Sequence, residues 1–155
     1  MLLEGQKIWI KENNLSSDSY KVLDKVLTQK LRKKWREIFI PNVGDKKILH
    51  KCPACAKENI RSYDWHVFSY GIVKAKRVSG NFLKEKLASY QADIYLIWEE
   101  CNSSGLLIDS NILKNCRWTN TDIYVFDSTF KWTFVVTHEG WFYYVGERIN
   151  EKISL

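Results

Sequence analysis

The sequence predicts an α+β fold: a mainly antiparallel sheet with a long N-terminal amphipathic helix packed on one face. Three observations lead there. Apolar and polar residues alternate through 122–145, apolar residues recur at helical spacing through 20–38, and the intervening segments read as short strands and helices joined by brief turns.

The alternation is clearest where Phe130, Trp132, Phe134 and Val136 interleave with Lys131, Thr133, Val135 and Thr137. A period of two marks a half-buried strand. With the turn at 127–130, Ile123 and Val125 share a face with Trp132 and Phe134, so the hairpin presents one continuous apolar surface. Tyr124, Phe126, Thr133 and Val135 form the other, mixed face. Gly140 breaks the run, and residues 141–145 read as a further strand closed by Gly146.

The helix is expected to start at a cap region of Ser16, Ser17, Asp18 and Ser19 and to end at Pro41. Tyr20, Leu23, Leu27, Leu31, Trp35 and Ile38 make its buried stripe. At about 100° per residue, Lys21, Lys25, Arg32, Lys33 and Arg36 fall roughly opposite, along about 22 Å of the axis. Further on, Leu83, Leu87 and Tyr90 line one face of a short helix after Gly80 and Asn81. Residues 92–98 form a core strand, 102–105 a turn, 106–108 a strand, and 112–116 a brief helix capped by Asp109 or Ser110.

At 155 residues, the chain fits a single domain spanning 1–155, long enough to bury a substantial core. An apolar content of 45%, with 14% aromatics, excludes a disordered or low-complexity chain. No run approaches the length of a membrane span, and the first five residues are too short and too acidic to begin a secretory signal. A cytoplasmic location is therefore expected. The net charge of +6 is uneven: residues 1–62 hold 14 Lys/Arg against 7 Asp/Glu, whereas 63–155 hold 10 against 11. The excess cations are N-terminal, where a basic helix face suits either a solvated surface or a dock for phosphates or a carboxylate-rich protein.

Cys52 and Cys55 have the C-x-x-C spacing of half a zinc knuckle, with Pro53 stiffening the turn. The second half is missing, because Cys101 and Cys116 are far apart; a site would have to recruit His50, His66 or a lone cysteine. His66, within the strand-like run 65–68, reads as a core residue. No cofactor is expected, with zinc as the alternative. No nucleotide-binding loop, nucleophile elbow or zinc-protease motif occurs. His138 and Glu139 form the one pair of titratable residues at a strand end suited to acid-base work, and they are equally suited to turning the chain. Glu99 and Glu100 read as a solvated strand end.

The segment Trp65, His66, Val67, Phe68, Ser69, Tyr70, followed by residues 122–127, by Phe130, Trp132, Thr133, Phe134 and Val135, and by Thr137, His138 and Glu139, resembles an uncharacterised family of small bacterial cytosolic proteins, a domain of unknown function. That family carries H-[IV]-F-S-Y ahead of a D-I-Y-V-x-D-x-x-F-x-W-T-x-V-x-T-H-E hairpin, and the resemblance covers about residues 30–145. The chain departs from it in ending on Trp141 to Gly146 where the family has a Gly-Pro-Tyr-Phe type of segment, and in its Cys52/Cys55 pair. The resemblance implies no activity. The strand-turn patterns are also similar to those of immunity proteins, which block a bacterial toxin by direct contact.

These readings favour a non-enzymatic intracellular binding protein of the immunity type, with a protein partner such as a cognate toxin domain. The partner surface is expected at Lys21, Lys25, Arg32, Lys33, Arg36, His138, Glu139, Trp141 and Tyr143. Four consecutive aromatics, 141–144, cannot all enter one core from a single strand, so one pair is expected to face a partner. The alternative is a zinc-supported nucleic-acid-binding domain using the basic helix 20–39, with weak affinity. A small enzyme centred on His138 and Glu139 is the third reading.

Overall fold

A computed structural model describes residues 2–40, 68, 74–100, 103–118 and 121–146. Among these residues, seven strands form one antiparallel sheet: β1 (Tyr20–Val22), β2 (Lys76–Val78), β3 (Asp93–Trp98), β4 (Leu106–Asp109), β5 (Ile123–Phe126), β6 (Thr133–Val136) and β7 (Phe142–Val145), in the spatial order β1-β4-β3-β5-β6-β7-β2. The helices among the described residues are α1 (Glu4–Glu12), α2 (Lys25–Phe39), α3 (Gly80–Tyr90) and α4 (Ser110–Leu113). The α+β class with a mainly antiparallel sheet is thus observed.

Both faces of the sheet are covered. On one, Leu31, Trp35 and Phe39 of α2, together with Phe68, pack on Ile97, Tyr124, Phe126, Val135, Tyr143 and Val145. On the other, Trp9 and Ile10 of α1, Leu83 and Leu87 of α3 and Leu113 of α4 pack on Ile94, Leu96, Ile123, Val125, Phe134 and Val136. The expected hairpin register holds, with Val125 opposite Phe134 and Ile123 opposite Val136. The face read as mixed is core as well: Tyr124, Phe126, Thr133 and Val135 are all buried.

The N-terminal helix differs from the expectation. The first helix, α1, is short and was not foreseen, because its buried positions are Gln6, Trp9 and Ile10, and a glutamine disguises the apolar stripe. Gln6 is wholly buried; its Oε1 accepts the Leu3 amide (2.9 Å) and its Nε2 donates to the Ser104 carbonyl (2.6 Å). The segment expected to open a long helix at 20 is the edge strand β1, since pairing with β4 satisfies its backbone. Helix α2 starts instead at Asp24, whose carboxylate accepts the Leu27 amide (2.7 Å) as an N-cap. Its buried stripe, Thr28, Leu31, Arg32, Trp35 and Phe39, is rotated from the expected one. Leu27 is exposed and Arg32 is buried.

Close packing at the start of α2 explains Gly105. The Gly105 amide donates to Thr28 Oγ1 (2.9 Å), and its carbonyl accepts the Leu23 amide (2.8 Å). A Cβ there would come within 2.6 Å of Ile97 Cδ1. The β5–β6 turn is held by Asp127, which accepts from the Thr129 amide (2.9 Å) and from Trp132 Nε1 (3.1 Å). Of the run 65–70 only Phe68 is described, and it is helical where a strand was expected.

Candidate functional site

Register brings chemistry-bearing residues to one end of the sheet. Trp98 is opposite Ile123, which is opposite Val136, which is opposite Phe142. One step beyond these pairs, Glu99, Asp122, Thr137 and Trp141 therefore form a row. The Glu99 amide donates to the Asp122 carbonyl and the Thr137 amide to the Trp141 carbonyl, both at 3.0 Å. Alternation turns this row toward the α2 face, because Ile123 and Val136 belong to the opposite core.

His138 folds back over this row. Its amide donates to Asp122 Oδ1 (2.8 Å), and its Nδ1 lies 2.9 and 3.0 Å from the two Asp122 oxygens. The carboxylate therefore holds the imidazole with a proton on Nδ1. The His138 side chain is 46% exposed and that of Asp122 14%. Beside it, Tyr124 Oη donates to Glu99 Oε1 (2.7 Å). The partner that orients His138 is Asp122, sixteen residues away in sequence, rather than Glu139; spacing carried no sign of it. Glu139 sits exposed in the β6–β7 turn, where Gly140 takes a φ of +86° that suits glycine.

Arg32 belongs to the same end, not to the basic exterior. Its guanidinium donates to the carbonyls of Trp98 (2.6 Å), Glu99 (3.3 Å) and Glu100 (3.1 Å), capping the end of β3 from α2. A narrow cleft lined by Arg32, Trp35, Ile97, Tyr124 and Phe126 is too tight for a water molecule.

The four consecutive aromatics are resolved by the two-sided burial of the sheet. Tyr143 enters the α2 core, Phe142 and Tyr144 pack on the opposite one, and Trp141, at the rim, is 42% exposed. Tyr143 is 6% exposed and so is a core residue, not the surface anchor expected of it. Arg77 lies directly across from Tyr143 in β2, its guanidinium 3.3 Å from the Trp141 ring centroid. Burial raises the Tyr143 hydroxyl above its ordinary pKa; Arg77, charged and hydrogen-bonded to it, pulls down, and Glu139 pushes up.

The outer face of α2 carries Lys25, Lys30, Lys33, Lys34 and Arg36, all exposed, with Glu37 as the acid among them. Lys34 lies 4.5 Å over the Phe130 ring. Between these cations, Val26 is 66% and Leu27 37% exposed. Lys21 is also exposed, but on β1. Among the described residues no group of three His, Cys, Asp or Glu side chains could hold a metal ion. His50, Cys52, Cys55 and His66 lie outside the described residues. No described helix is long and apolar enough to cross a membrane.

No curated protein and no solved structure matches the chain. A family model does: it covers residues 10–146, taking in every strand, the row at the sheet end and the basic helix, and the chain therefore belongs to the family defined by the domain of unknown function DUF4275.

Proposed function

We propose that this is a non-enzymatic binding protein of the bacterial cytoplasm, an immunity-type inhibitor that neutralises a toxin by direct protein–protein contact. The observation that carries the reading is the outer face of α2. Val26 and Leu27 stand exposed beside Lys25, Lys30 and Lys33, which engage no partner among the described residues. Exposed apolar side chains ringed by unpaired ammonium groups suit an acidic protein surface with an apolar centre. A duplex backbone would use the cations and leave Val26 and Leu27 in water.

The test is co-expression with the product of the neighbouring gene, assayed for toxicity on its own, followed by titration calorimetry of the purified pair. Rescue of growth is expected, and Lys25→Glu with Lys33→Glu should weaken binding by tenfold or more, with a folded control by circular dichroism. A neighbouring gene product that is not toxic, or full rescue by the charge-reversed protein, sinks the proposal. Salt-sensitive binding to duplex DNA, lost in the same variant, would favour the nucleic-acid reading instead.

The Asp122–His138 pair favours a second reading, a small enzyme centred on His138. A carboxylate-oriented imidazole is built for proton transfer. If His138→Gln leaves toxin neutralisation intact while abolishing an activity of the purified protein, that reading replaces the first.

A further inference from the structure

We propose that the outer edge of β2 docks an extended acidic segment of a protein partner, which adds as a further strand with one carboxylate held by Arg77. The proposal rests on the reading of the chain as a binding protein, but not on the partner's being a toxin.

Strand β2 ends the sheet: it pairs with β7, and among the described residues no strand lies on its other side. Its backbone is a template for one more strand. The side chains of β2 are cationic on both faces. Arg77, opposite Tyr143, is on the α2 face; Lys76, opposite Tyr144, is on the other face, 5.6 Å over the Phe82 ring. An added strand also alternates, placing consecutive side chains beside Arg77 and beside Lys76. Carboxylates at neighbouring positions meet a cation on each face. A second copy of β2 would set cation against cation, so the charge that blocks self-association selects an acidic strand.

Arg77 is also prepared for its ligand. Its guanidinium carbon lies 3.3 Å from the Trp141 ring centroid, and in the sheet it stands opposite Tyr143, a side chain fixed in the core. The planar fork remains exposed at the rim and matches a carboxylate in a bidentate pair. Little side-chain freedom is left to lose on binding. The half-exposed Trp141 ring adds an apolar wall to the same spot.

The experiment uses the full chain and labelled eight-residue peptides in which Glu and Asp sit at adjacent positions among Thr and Val. Fluorescence anisotropy reads binding, and hydrogen exchange reads the amides of 76–78. Expected are binding of the acidic peptide, none of its Lys counterpart, and slowed exchange at 76–78. Arg77→Ala should weaken binding about tenfold or more, and Arg77→Lys, which keeps the charge and the fold, should do so partly. Lys7→Glu, an exposed charge on α1 outside both surfaces, should leave peptide binding unchanged, and because the peptide assay contains no toxin, a failure of the α2 surface is separable from a failure of this edge. No binding, unchanged exchange at 76–78, equal affinity for a peptide N-methylated at alternate residues, or equal Arg77-dependent binding of a DNA oligonucleotide would each overturn the proposal.

Discussion

Arg32 shows how one side chain changes meaning between sequence and structure. On a helical wheel it stands beside Lys25 and Lys33 as a surface cation, yet its donors end on three consecutive carbonyls at the end of β3, those of Trp98, Glu99 and Glu100. The bond to the Trp98 carbonyl is buried at the point where β3 leaves the sheet, while the Glu100 carbonyl also accepts from the Ser103 amide and hydroxyl. Replacing Arg32 by Met keeps much of the packing volume and removes the donors. The expected cost is about 2–4 kcal/mol in urea denaturation, since charged hydrogen bonds in a buried site are lost together. A cost below about 0.5 kcal/mol, the range of ordinary surface substitutions, would return Arg32 to the exterior. His138 makes the complementary point. A His-Glu dipeptide in a turn was visible in sequence, but the hydrogen-bond partner of His138, Asp122, is brought to it by β5 and β6 lying side by side.

At the scale of elements, α2 and β1 decide where the N-terminal region is helical. A serine-rich stretch offers several caps, but only Asp24 places its carboxylate on the third amide of a helix that also packs on the sheet. Asp24→Ala should therefore lower stability by about 1 kcal/mol, whereas Ser17→Ala should change it by no more than about 0.5 kcal/mol. Equal effects would mean that the helix extends back through residue 20. The hairpin of β5 and β6 was legible because it is short and its polar punctuation is local: Asp127 binds the Thr129 amide and Trp132 Nε1 within its own turn. Helix α3 was legible for the same reason, with Ser79 capping the Phe82 amide and Leu83 and Leu87 buried at helical spacing. Helix α1 was not, because its inward polar residue, Gln6, is satisfied by Ser104 nearly a hundred residues away.

At the scale of the whole molecule, two groups with raised pKa among the described residues predict behaviour in alkali. Burial pushes the Cys116 thiol from 9.0 up to about 11, and it raises the Tyr143 hydroxyl too. A group whose folded pKa exceeds its unfolded value binds its proton more tightly in the folded state, so its contribution is fully present below the unfolded pKa and is lost as pH rises through the folded one. Stability should fall between about pH 9 and 11, and the fall should be shallower in Cys116→Ala. Parallel pH profiles of the melting temperature for the two proteins would refute this. The pattern of residues was sufficient for the α+β class, the hairpin register, α3, and the concentration of positive charge in the N-terminal part, because periodicity, caps and turn residues act over a few positions. Tertiary structure alone decided that both faces of the sheet are buried, which sends Tyr143 inward with Val145 and Phe142 and Tyr144 to the opposite core. It alone turned Arg32 inward and set Arg77 against Trp141. These outcomes depend on strand order and on which helix covers which face. Both are set by packing between segments distant in the chain, and local periodicity does not encode them.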